Sequence, residues 1–140
     1  MNIKHPYPTP LRGIISITIA LLLVGRCHAM DRWEALSQIE TGDNDRIVGA
    51  SDEVSRFQIT PHEWFTHTRL PLYAAKNPFT ALNVAGLIMA ERIRAFEITF
   101  HRAPTDFEFY VLWNRPGDIR NPQPRTRERA CRFANLCQKP

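Results

Sequence analysis

The chain has 140 residues and a formal net charge of +4, which limits it to about one ordinary domain. The positive excess belongs mostly to the first 29 residues, where Lys4, Arg12 and Arg26 have no acidic counterpart. Residues 30–140 hold 15 basic and 14 acidic side chains, a balance of +1 that does not argue for nucleic-acid binding.

The first element reads as a leader. Its basic start precedes Gly13 to Val24, "GIISITIALLLV", an apolar run of roughly 12 residues against the ~20 a spanning helix needs. Ala29 ends "CHA" at the expected cut, so residues 1–29 read as a secretory signal peptide. Residues 30–140 then form the domain, with no stable membrane span, in a periplasmic or secreted setting at the cell envelope. Such a compartment is oxidising and invites a disulfide between Cys131 and Cys137. Six residues of unbroken helix rise about 9 Å, beyond the ~7 Å a disulfide spans between Cα atoms. The bond therefore requires the last helix to end between them, near Asn135.

Asp31 with Glu34 three residues later predicts a helix through Trp33, Leu36 and Ile39, stopped by Gly42. Residues 43–60 read as irregular, with room for a very small β-hairpin. Pro61 suits the first turn of a short helix, "PHEWFTH". Asn77-Pro78 opens the longest predicted helix, over 78–101, with Leu82, Ala85, Met89, Ile93, Phe96 and Phe100 at helical spacing. Thr105 with Glu108 opens another through Tyr110 to Asn114, and a last helix is expected near 126–136. The fold class is mainly α.

Several chemistries are disfavoured by spacing. His62 and His67 lie five apart, about 140° around a helix, which defeats the two-histidine zinc pattern of "HExxH". Ile47 occupies a ligand position in the would-be calcium loop "DNDRIVGASDE". Neither a metal nor another cofactor is called for. Arg125, Arg129 and Arg132 share one face of the last helix, read first as a solvated face and second as an attraction for an anionic polymer.

The carboxylate of Glu40, at a helix end before "TGDND", stands out. "ETG" at 40–42, then "GASDEVSRFQITP" with Gly49, Glu53, Phe57, Gln58, Ile59 and Pro61, then "LWNRPG" with Trp113 and Asn114, follow one another over residues 33–117. In order and spacing these resemble the lysozyme-like lytic transglycosylases, including the goose-type lysozyme branch. The resemblance implies a lysozyme-like helical domain in which Glu40 is the catalytic acid and base. It implies cleavage of the β-1,4 bond between N-acetylmuramic acid and N-acetylglucosamine in peptidoglycan, with 1,6-anhydro ends.

Phe57, Gln58, Ile59, Tyr110, Trp113 and Asn114 are then expected at the substrate, with Glu53 and Ser55 in support. The protein is expected to act as a monomer on glycan strands, with an envelope-assembly partner as another means of localisation. Two departures stand out: Asp52 and Ser55 occupy family glycine positions, where a positive φ would cost serine what it spares glycine. Trp113 also replaces the family tyrosine, with Tyr110 one turn earlier.

A glutamate exposed to water ionises near pH 4.3 and holds its proton poorly. Burial among apolar groups, for which Trp33, Ile39, Phe57 and Trp113 are candidates, favours the neutral acid. Two alternatives stay open. A hydrolytic muramidase would take its second carboxylate from Asp43, Asp45 or Asp52. A catalytically silent module would bind glycan or a secretion-associated partner.

Overall fold

The computed structural model describes residues 29–138, so the predicted leader lies outside the described residues apart from Ala29. The described chain is mainly α. Its helices are α1 (Arg32–Thr41), α2 (Pro61–His67), α3 (Pro78–Phe100), α4 (Asp106–Asn114) and α5 (Pro124–Gln138), with 3-10 turns at Leu72–Lys76 and Pro116–Asp118. Among the described residues there is no strand. The expected hairpin reduces to two isolated antiparallel bridges, Val48–Val54 and Val54–Ile59. No described helix is long and apolar enough to cross a membrane.

The helix boundaries follow local chemistry. Asp31 caps α1 by accepting from the Trp33 and Glu34 amides, and Gly42 ends it in the left-handed region at φ 63°. Thr60 caps α2 ahead of Pro61, and Asn77 caps α3 ahead of Pro78. Thr105 and Glu108 form a reciprocal capping box on α4. Arg102 adds an ion pair to that Glu108, which together with the cap holds its carboxyl down at about 2.

Five consecutive residues of α4, Phe109 to Trp113, are buried. A helix buried on every side is a central one. It packs most extensively on α5, which buries Thr126, Ala130 and Phe133 at helical spacing, and also on α3. Phe133 stacks against Phe109, with ring centroids 5.7 Å apart. The second contact of α5 is with α1, so three helices meet where α1 ends. The α3 stripe buries Ala85, Met89 and Phe96 as predicted. Ala81, Val84 and Ile88 widen it, while Leu82, Ile93 and Phe100 are only partly covered.

The disulfide expectation is corrected here. Helix α5 runs without a break through Cys131 and Cys137, both free, so the rise of a continuous helix keeps them too far apart. Burial pushes the Cys137 thiol up to about 11, which leaves it a poor nucleophile.

Candidate functional site

Glu40 sits in the last turn of α1, at the meeting of α1, α4 and α5. Its side chain is only 7% exposed. The Tyr110 hydroxyl of α4 donates to Oε1 at 2.7 Å, and Nη2 of Arg129 on α5 donates to Oε2 at 3.1 Å. The same nitrogen donates to the Ile39 carbonyl at 2.9 Å, joining α5 to the end of α1. Burial first, and then the neighbouring Glu40 carboxylate, push the Tyr110 phenol far above its ordinary range, so it stays a donor. The expected apolar box around Glu40 is thus corrected. Trp33 and Phe57 pack on each other in the core, and the carboxylate is met by a hydroxyl and a guanidinium.

Glu40 opens into a groove of about 570 Å³. Gln58, Ile59, Trp113 and Asn114 of the predicted set share its wall, as does Glu53. Ile59 is almost fully buried and serves as floor. Phe57 does not line the groove. It is a core residue, edge-on to Trp33 at 5.9 Å and to Trp113 at 6.4 Å. Tyr110 is fully buried and reaches the site through Glu40 rather than through the groove wall.

The loop between α1 and α2 is fixed by polar contacts. Arg56 grips Asp45 in a fork, Nε to Oδ1 at 2.6 Å and Nη2 to Oδ2 at 2.7 Å, which holds that carboxyl below its usual range. Thr41 Oγ1 donates to the Arg56 carbonyl and accepts from the Asn44 amide. Asp43 accepts from the Ser37 hydroxyl. Asp43, Asp45 and Asp52, the carboxylates considered for a hydrolytic role, lie outside the groove lining.

Positive φ angles recur in this loop, at Asp52 (60°), Ser55 (68°) and Gln58 (54°). Ser55 and Asp52 therefore carry the left-handed cost of about 1–2 kcal/mol per residue that glycine would avoid. Ser55 recovers part of it, because its buried hydroxyl accepts from the Phe57 amide at 3.2 Å. Gly49 is needed for space. A Cβ there would lie 2.3 Å from Glu53 Oε2 and 2.6 Å from Gln58 Oε1, so the missing side chain lets both polar groups stand in the groove.

In the groove wall itself, Arg92 of α3 organises the end of α4. Its Nη1 donates to the Leu112 and Trp113 carbonyls at 2.9 and 2.6 Å, and its Nη2 pairs with Glu63 of α2. The guanidinium also stands over the Trp113 ring, 5.8 Å from its centroid. Asn114 accepts from Thr126 Oγ1 at 3.0 Å, which ties its side chain to α5.

Sequence reasoning missed the partnership of Arg129 with Glu40. It also missed Thr60, His62, Glu63 and Arg92 as groove residues. For Arg129 a signal existed: it flanks the buried Thr126–Ala130–Phe133 stripe, the boundary where an arginine stem packs and its head finds a partner. Arg132 belongs elsewhere, beside Gln38, Ile39 and Asn135, so the predicted arginine face divides between two surfaces. His62 lines the groove, whereas His67 bonds to the Glu63 carbonyl and to Glu91.

Comparison of the chain with protein-family models, curated proteins and solved structures finds no match.

Proposed function

We propose that the protein is a lysozyme-like lytic transglycosylase of the cell envelope, acting on peptidoglycan glycan strands with Glu40 as acid and base. The observation that carries this reading is a carboxyl group 7% exposed at the wall of a groove it shares with Gln58, Trp113 and Asn114. These residues come from the three motifs that carry the resemblance.

In the first step the acid form of Glu40 gives its proton to the bridging oxygen as the glycosidic bond breaks, leaving a carboxylate. Tyr110 and Arg129 both donate to that carboxylate, so the charge that develops meets donors already in place. The substrate's acetamide steadies the oxocarbenium-like centre, a route that needs no second protein carboxylate. In the second step the Glu40 carboxylate draws the proton from the 6-hydroxyl of the muramic sugar. That oxygen closes the 1,6-anhydro ring and returns Glu40 to its acid form. The commitment of Asp45 to Arg56 and of Asp43 to Ser37 supports ring closure over hydrolysis. A hydrolytic route would draw instead on Glu53, which does line the groove.

One observation favours a second reading. An ion pair between Glu40 and Arg129 is also what a purely structural tie between α1 and α5 would use. The protein would then be a catalytically silent glycan-binding or secretion-associated module.

The test compares turbidity loss of purified peptidoglycan with wild type and Glu40→Gln. The proposal expects a loss of at least ~100-fold in the variant, the scale of a missing acid–base group. Activity that survives the change removes Glu40 from the chemistry, and inactivity of both proteins favours the silent module. Mass spectrometry of the products separates anhydro ends from reducing ends.

A further inference from the structure

Three guanidinium groups line the groove, and two are committed. Arg92 is held by Glu63 and two carbonyls, and Arg129 by Glu40 and the Ile39 carbonyl. Arg125 stands one turn before Arg129 on the same face of α5, exposed, with no hydrogen-bond or ion-pair partner among the described residues. The nearby acids do not claim it. Glu40 and Glu63 have their own arginines, and Glu53 accepts from the Ser51 amide. Arg125 also lines the same groove as the reactive carboxyl.

We propose that Arg125 is a specificity-determining residue of this groove: it receives a carboxylate carried as a side group by the glycan and so selects an acidic N-acetylated glycan over a neutral one. The inference rests on the glycan reading above and adds to it the feature that is read. A guanidinium fork matches a carboxylate in two parallel hydrogen bonds, a geometry that a neutral hydroxyl cannot supply. Muramic sugars bear lactyl-linked peptides with free carboxylates, whereas a homopolymer of N-acetylglucosamine bears none. Holding that anion beside Glu40 fixes which sugar lies next to the acid, because only the muramic residue carries the substituent.

The experiment titrates two probes into the protein, a disaccharide–tetrapeptide and a neutral tetramer of N-acetylglucosamine, and follows the Trp113 indole resonance by NMR. Wild type is expected to bind the acidic probe about tenfold more tightly, the order expected of one charge-assisted contact. Arg125→Gln is expected to reduce that preference to under about threefold. Arg125→Glu is expected to reverse the preference. Because Arg125 is exposed and unpartnered, the circular dichroism spectra of the variants should match wild type. A preference that persists in Arg125→Gln, or equal binding of the probes by wild type, overturns the role of Arg125 and leaves the glycan reading standing. Binding of neither probe by wild type overturns both.

Discussion

Replacing Tyr110 by Phe removes one oxygen from the junction of α1, α4 and α5. The ring stays where it is, fully buried and 5.6 Å from the Phe133 ring, so no large cavity is created. What is lost is the 2.7 Å hydrogen bond to Glu40 Oε1. A hydrogen bond to a charged group contributes about 1.5–3 kcal/mol. Glu40 borders the groove, where water can replace the hydroxyl, so the lower end applies and the cost is about 1.5 kcal/mol. For a domain of this size that lowers Tm by roughly 6 °C.

Thermal unfolding at pH 7, followed by circular dichroism, measures the effect directly. The decisive comparison is the same change made in a Glu40→Gln background. There the acceptor is neutral, and the loss should shrink to about 0.5–1 kcal/mol. Equal Tm for wild type and Tyr110→Phe, or an equal drop in both backgrounds, would refute the claim that the hydroxyl acts through the Glu40 carboxylate.

Two further outcomes are expected. Gly49→Ala should displace Glu53 and Gln58, because its Cβ would collide with the ends of both side chains. Those ends are flexible, so glycan binding should fall by about tenfold or more while Tm moves by only a few degrees; unchanged affinity in the titration above would contradict this. Glu108→Gln should lower Tm at neutral pH by removing the carboxylate from the α4 cap and from Arg102. With the folded carboxyl lowered from 4.5 to about 2, the stabilisation is complete above about pH 4.5 and disappears as pH falls through about 2. Melting curves across that window should therefore converge, and a constant gap between wild type and variant would count against the assignment.

The helix frame was legible in the sequence because helix ends are decided by neighbours in the chain. Asp31, Gly42, the Asn77-Pro78 pair and the Thr105/Glu108 box all act within a few residues, and each cap stands where its spacing predicts. The cost at Ser55 was also readable, since a glycine position in a turn motif is a statement about backbone angle, and φ at Ser55 is 68°. Phe57 shows where such reading stops. Whether it faces the groove or the core depends on Trp33 and Trp113, which are distant in sequence. The disulfide failed for a local reason of another kind: the turn between Ala130 and Leu136 contains no residue that breaks a helix.

By itself, then, the sequence determined the elements, their caps, the placing of an acid at the end of α1 and a strained loop behind it, because these depend on short-range sterics and hydrogen bonding. Only the tertiary structure decided what that acid touches. Tyr110 lies 70 residues and Arg129 lies 89 residues from Glu40, and no pattern along the chain encodes that meeting. It follows from the packing of α4 on α5, where burying Phe109 against Phe133 carries a hydroxyl and a guanidinium to the same carboxylate.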